Sequence, residues 1–362
     1  MTRSFIGRQS IKGRGASSNP AVRFEATSRE RTDDGWYEEE ILQHPAESVL
    51  PDRARSVITS NDSPDVGFER SINPYRGCSH GCVYCFARPS HAYLGLSPGL
   101  DFETKLFYKA DAVEILEGEL AKPKYVCKPI ALGINTDGYQ PAEKQLKVTR
   151  GILAVLARCR HPVTLVTKSA LVVRDLDLLA DLAQDHLVSV MLSITSLTND
   201  IKRTLEPRAA SPQARLRVIE QLARAEIPVG VLVAPVIPAV TDHEMEDILA
   251  AAKDAGAGSA GYVLLRLPHE VKILFRNWLD EHYPDRAKHV MSLINQTRGG
   301  RDYDAEFGQR MTGTGPYAQL LRTRFDLARR RCGFGDARGR HELSTHLFRP
   351  PPADRSQLTL GF

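Results

Sequence analysis

The chain has 362 residues, 42% of them hydrophobic and 25% charged, a globular composition long enough for one large α/β domain or two smaller ones. Its 48 basic and 44 acidic residues leave a net charge of +4, too small to name a partner. No apolar run reaches the length of a membrane span, which excludes a membrane role, and Met1 to Arg8 hold no apolar segment of the kind a secretory signal needs, so a cytoplasmic protein is expected.

Residues 1–66 are polar, interrupted by Gly, Ser and Pro, and show no sustained period. They read as a largely disordered arm, basic at Arg3, Arg8, Lys12 and Arg14, with a short helix expected at Trp36–Leu42. From Phe68 the pattern changes. Ser71 to Arg76 reads as a strand leading into the cysteine-rich stretch Cys78-Ser-His-Gly-Cys82-Val-Tyr-Cys85, and a helix follows through Val113, Leu116 and Leu120. Apolar runs at 130–134, 163–167, 187–194, 229–233 and 262–265 then alternate with helix-period stretches, the signature of parallel βαβ units. Ser211-Pro212 marks a helix start, and Thr241-x-x-Glu244 reads as a capping box. Periodicity does not decide between a doubly wound sheet and a barrel. In either, ligands meet the C-terminal strand ends, where Asn135, Thr136, Asp137, Lys168, Thr195 and Ser196 stand. Beyond Pro268 the pattern is mostly helical to about residue 340, with arginines at 322, 324, 329–331, 338 and 340, and a flexible tail is expected over 341–362.

Six cysteines are too few for a disulfide framework in a chain of this length, and three of them stand together. The C-x3-C-x2-C spacing supplies three thiolates for a metal or an iron–sulfur cluster and leaves a coordination position open. Structural zinc would need a fourth ligand. His80 lies inside the motif, His91 follows it, and no second C-x2-C exists. Combined with the basic arm and the arginine-rich last helix, the motif leaves a second reading: a nucleic-acid-binding protein with a structural metal centre.

The motif after a first strand, with Tyr84 before the third cysteine, resembles the radical S-adenosylmethionine (SAM) superfamily over about residues 68–270. Gly77 to Cys85 with Ala87-Arg-Pro-Ser-His-Ala-Tyr-Leu94 is similar to its spore photoproduct lyase-like branch. The resemblance implies a partial (β/α)6 TIM-like barrel of parallel strands over 67–268, between the disordered N-terminal arm and a helical extension over 269–340. It also implies a [4Fe-4S] cluster on Cys78, Cys82 and Cys85, SAM on the fourth iron, a one-electron donor of flavodoxin or ferredoxin type, and a substrate that loses hydrogen to a 5′-deoxyadenosyl radical. Under it, Lys168 or Arg208 would meet the SAM carboxylate. Asp137 or Glu143, in the segment from Asn135-Thr136-Asp137 to Glu143, would take the amino group. Ser193 would bond the ribose or the carboxylate, and Tyr84 would lie near the adenine. A departure stands beside these: the branch places a hydrogen-donating thiol near the end of the second strand, where this chain has Ile134. Cys127 lies seven residues earlier, about 23 Å back along an extended strand. Thymine-dimer repair is therefore not carried over.

Overall fold

The computed structural model describes residues 11–24, 46–335 and 343–352. Ten strands form two sheets. The small one pairs β1 (Ser48–Pro51), β4 (Tyr75–Arg76) and β5 (Lys105–Tyr108), with β5 in the middle. The large one runs in the order β10 (Ser259–Leu264), β9 (Val229–Val236), β8 (Val188–Ser193), β7 (Val163–Thr167), β6 (Ile130–Leu132), β3 (Arg70–Ile72), β2 (Ile58–Ser60). All its pairings are parallel except the β2–β3 hairpin.

That strand order settles the architecture. From β3 to β10 the six parallel strands lie side by side in chain order, with no reversal of the kind a doubly wound sheet requires. Right-handed crossovers that all step the same way put the helices on one face, so the sheet curls around its other face. Among the described residues β10 does not pair with β3, so the barrel is partial. Short valine- and isoleucine-rich strands bury both faces, and the intervening helices cover the outside with one apolar stripe each. These helices are α2 (Ala112–Leu120), α4 (Val148–Arg158), α5 (Leu176–Gln184), α7 (Pro212–Arg224) and α8 (Met245–Asp254), and Leu116, Ile152, Leu156, Leu179, Ile219, Leu222 and Ile248 lie in one core with the strands. Shorter helices, α1 (Leu100–Thr104), α3 (Glu143–Leu146) and α6 (Asn199–Leu205), sit in the loops at the C-terminal strand ends. After the barrel come α9 (Val271–His282), α10 (Ala287–Gln296) and α11 (Gly315–Arg331).

Several expectations change. The polar arm is in part built onto the core: 46–66 contributes β1 and β2, and 11–24 packs on the cysteine loop. Glu103, fully buried, accepts the backbone N–H groups of Gly15 (3.0 Å) and Ala16 (2.8 Å). The Trp36–Leu42 helix, Arg3, Arg8, Arg338 and Arg340 lie outside the described residues. Part of the expected flexible tail also packs. Phe348 lies against Tyr125 and His161, and the Arg349 N–H donates to the Cys159 carbonyl (2.8 Å), at the N-terminal end of the barrel. Ser211 caps α7, accepting from the Ala214 N–H (3.2 Å), as its sequence implies. The capping box does not form: Thr241 accepts from the Ile237 N–H, and Glu244 accepts from the Ser196 hydroxyl and the Leu197 N–H. The strand-end loops, with more unmet donors than the helix start, take both side chains. The arginines of α11 are partly consumed as well. Arg324 forms a forked pair with Glu246, Arg322 donates to Thr312, and Arg329 donates to the Gly335 carbonyl.

Candidate cofactor and active site

The chain leaves β4 and turns at Gly77 (φ 75°) into the cysteine loop. A second left-handed turn at Gly81 (φ 69°) keeps the loop tight, and a Cβ there would meet Glu103 Oε2 at 2.7 Å. The loop is held from below by Arg88. Its wholly buried guanidinium donates to the carbonyls of Cys82 (2.9 Å), Pro98 (3.0 Å) and Gly99 (2.9 Å) and pairs with Glu103 (2.5 Å). Three of the five N–H groups of this fork are therefore spent on backbone, one of them on Cys82 itself, and a fourth on Glu103.

Cys78, Cys82 and Cys85 face one cavity of about 500 Å³ at the C-terminal ends of the barrel strands. Burial raises the pKa of Cys78, and the nearby charges of Asp137, Cys82 and Cys85 raise it further. Burial likewise pushes Cys82 up to about 12, helped by Glu206 and opposed by Lys168. Without a cation Cys78 and Cys82 would stay protonated, and a bound metal centre inverts that balance by stabilising thiolates. Among the described residues no three His, Cys, Asp or Glu side chains are arranged to hold a single metal ion.

The strand ends supply the remaining wall. Asp137 is anchored by three donors, the Thr167 hydroxyl (2.7 Å), the Tyr139 N–H (2.9 Å) and the Lys168 N–H (2.9 Å), with His80 Nδ1 3.4 Å away. Burial alone would raise its pKa, but His80 and these hydrogen bonds outweigh burial and hold it at about 2. Lys168 points into the cavity over the Tyr84 ring (5.9 Å), and its ammonium makes no hydrogen bond or ion pair with a described residue. Burial works against that charge, yet Cys82 and Glu206 overcome it and raise the lysine's pKa. Ser193 is buried and lines the same space, as does Asn135, whose N–H donates to Asn73 Oδ1 (2.8 Å). Tyr84 lines it too, its hydroxyl donating to Glu206. Ile134 is also in the wall, while Cys127 is not.

Three expected contacts go elsewhere. Glu143 is fully buried under α4, where it accepts from Tyr75, from the Thr149 N–H (3.0 Å) and from Arg174 (2.7 Å). It satisfies the start of α4 and does not line the cavity. Arg208 pairs with Glu47, which also meets Arg14 at 3.5 Å, so an ion pair on the outer surface takes the charge offered to SAM. Thr136 turns away to donate to the Tyr75 carbonyl (2.7 Å). Conversely, sequence reasoning missed Glu206 and Arg215. Glu206 accepts from Tyr84, from the Thr195 hydroxyl (2.7 Å) and from Arg215, whose other amine donates to the Ser193 carbonyl (2.9 Å). Burial would raise Glu206, but Arg215 and Lys168 hold its carboxyl at about 2. The one signal was an acidic residue two positions before Arg208 in the loop after β8, which by itself reads as surface.

The sequence model of the radical SAM superfamily matches residues 72–252, which is 181 of the 362 residues, and so takes in the cysteine loop and the barrel up to α8. The chain belongs to the radical SAM superfamily. An uncharacterized protein of Mycobacterium tuberculosis is 38% identical over 231 residues, 63% of this chain and 68% of its own. An uncharacterized protein of Methanocaldococcus jannaschii is 26% identical over 237 residues, 66% of this chain and 84% of its own. Among solved structures, a mutant of spore photoproduct lyase superposes with a TM-score of 0.58 at 15% identity, covering 79% of each chain. The same lyase complexed with dinucleoside spore photoproduct gives 0.57 at 16% and the same coverage. At such identities the likeness is one of fold, and it agrees with the partial barrel. The chain is thus a radical SAM enzyme, and among the described residues no helix is long and apolar enough to cross a membrane.

Proposed function

We propose that Cys78, Cys82 and Cys85 hold a [4Fe-4S] cluster and that SAM binds beside it in the 500 Å³ cavity. A cubane cluster takes one thiolate per iron at separate corners, which suits three thiols spread around a cavity better than a single ion does. When bound and reduced by one electron, the cluster supplies reductive cleavage of SAM to methionine and a 5′-deoxyadenosyl radical that takes hydrogen from the substrate. The protein's part is to bind, orient and exclude water. Lys168 offers the carboxylate of SAM a cation with no competing partner. Asp137, its carboxyl pKa held at about 2, accepts from the amino group, and its three donors hold it still. Ser193 and Asn135 add hydrogen-bonding capacity, and Tyr84, pinned by Glu206, gives the adenine side a fixed ring. A flavodoxin- or ferredoxin-type one-electron donor and a cytoplasmic location complete the proposal.

The observation that carries this reading is the unpaired Lys168 ammonium facing the same cavity as the three thiols. Its test is anaerobic loading with iron and sulfide, reduction, and addition of SAM, with 5′-deoxyadenosine as the readout. Cys82→Ala is expected to lose the cluster's visible absorbance and the product together. An intact cluster that yields no 5′-deoxyadenosine overturns the proposal.

A further inference from the structure

The cavity wall also carries a charge imbalance that the cofactor reading does not use. Just past β10, Arg266 lines the cavity and lays its guanidinium over the ring of Phe86, 4.8 Å from the centroid and one residue beyond Cys85. Its polar contacts are weak: Tyr303 Oη at 3.5 Å and Met311 Sδ at 3.6 Å. Its Nε is buried with no partner. Behind it lies Arg298, wholly buried, whose hydrogen bonds go only to carbonyls: Leu265 (2.7 Å), Arg310 (3.0 Å), Gln309 (3.1 Å) and Leu264 (3.5 Å). Burial first, and then the neighbouring Arg266 charge, bring the Arg298 pKa down to about 10.

Three acidic groups of the adjoining segments are already taken, and Glu306 is exposed. Asp65 pairs with Arg310, Asp302 with Arg276 and Asp304 with Arg301. The other wholly buried arginines among the described residues behave differently, since Arg88 has Glu103 and Arg215 has Glu206. A guanidinium half-withdrawn from water, backed by a second one and facing no carboxylate, is costly unless an anion arrives to complete it.

We infer that Arg266 is the anion-binding residue of the substrate subsite, taking a carboxylate or phosphate group of the substrate in a forked pair while Phe86 fixes the plane of the guanidinium. The inference rests on the reading above, in which Lys168 holds the SAM carboxylate. An anion held at Arg266 would place the rest of the substrate in the cavity between the outer wall and the cluster loop.

The experiment uses the full chain. Iron and sulfide content and SAM binding are measured first, so a failure of the cofactor reading shows there. Inorganic pyrophosphate and citrate are then titrated calorimetrically into the SAM-bound holoenzyme and, separately, into metal-free protein. At least one probe is expected to bind. Arg266→Met should weaken that probe by roughly 10-fold or more, the loss of a charge-assisted hydrogen bond, while SAM affinity stays within about 2-fold. Arg266→Lys, which keeps the charge without the fork, should fall between the two and serves if the methionine variant folds poorly. Pyrophosphate binding alone assigns a phosphate-bearing substrate, and citrate binding alone a carboxylate. The inference is overturned if neither probe binds, if Arg266→Met binds as the wild type does, or if that variant loses SAM to the same extent.

Discussion

Lys168 and Glu206 divide the work of one buried charge system. Cys82 in its thiolate form and the Glu206 carboxylate, neither of which it touches, raise the pKa of Lys168 against burial, so its donors stay free for a ligand. Replacing it with methionine keeps the bulk and removes the cation. SAM affinity, measured calorimetrically on cluster-loaded protein, is expected to fall roughly 10-fold to 100-fold with iron content unchanged. Glu206 has the opposite character. It is saturated by Tyr84, Thr195 and Arg215, and its removal strands a buried guanidinium. Glu206→Gln should cost about 3–5 kcal/mol in urea unfolding of the metal-free protein. At this scale the sequence was informative where chemistry is intrinsic to the residue, as with three clustered thiols. It misled where several acids and bases compete. Glu143, Asp137 and Glu206 are all carboxylates in loops after strands, and only their neighbours decide that one caps a helix, one faces the cavity and one pins a tyrosine.

Among the elements, the segment 11–24 changes most between sequence and structure. Gly15 approaches so closely that a Cβ would lie 1.8 Å from the Gly81 carbonyl oxygen, and Glu103 clamps the N–H groups on either side of that contact. The segment therefore forms the outer layer of the cysteine loop. Glu103→Ala removes the clamp and leaves Arg88 without its carboxylate, so about 3–5 kcal/mol of stability should be lost. Limited proteolysis should then cut between residues 11 and 24 well before the barrel. Equal resistance in variant and wild type would show that the segment docks independently of Glu103. Nothing in the composition of 11–24 announces this docking, because its energy comes from backbone donors meeting a remote side chain. By contrast, α7 starts where Ser211-Pro212 says it should, since that cap is a local interaction.

For the molecule as a whole, buried ionised carboxylates set the response to acid. Asp137 and Glu206 have folded-state pKa values depressed to about 2 from ordinary values of 3.8 and 4.5. Their contribution to stability is complete above those ordinary values and is lost as pH falls toward 2, because the unfolded chain binds the protons first. Metal-free protein should therefore lose stability steeply below about pH 4.5, and Glu206→Gln should flatten that fall. A variant whose urea midpoint tracks the wild type in parallel from pH 5 to pH 3 would show that Glu206 carries none of it. The sequence by itself determined the alternation of strands and helices and the soft-metal loop, because hydrophobic period and thiol spacing are properties of neighbours along the chain. It also marked the chemical end of the barrel, where polar residues follow each strand. Only the tertiary structure decided that the sheet curls instead of winding both ways, since strand order is a matter of which distant segments pair. It alone decided which charges remain unpaired. Among the described residues Lys168 and Arg266 line the cavity and form no ion pair, whereas Arg208 and Arg324 each have one, because the availability of a partner depends on residues brought together from across the fold.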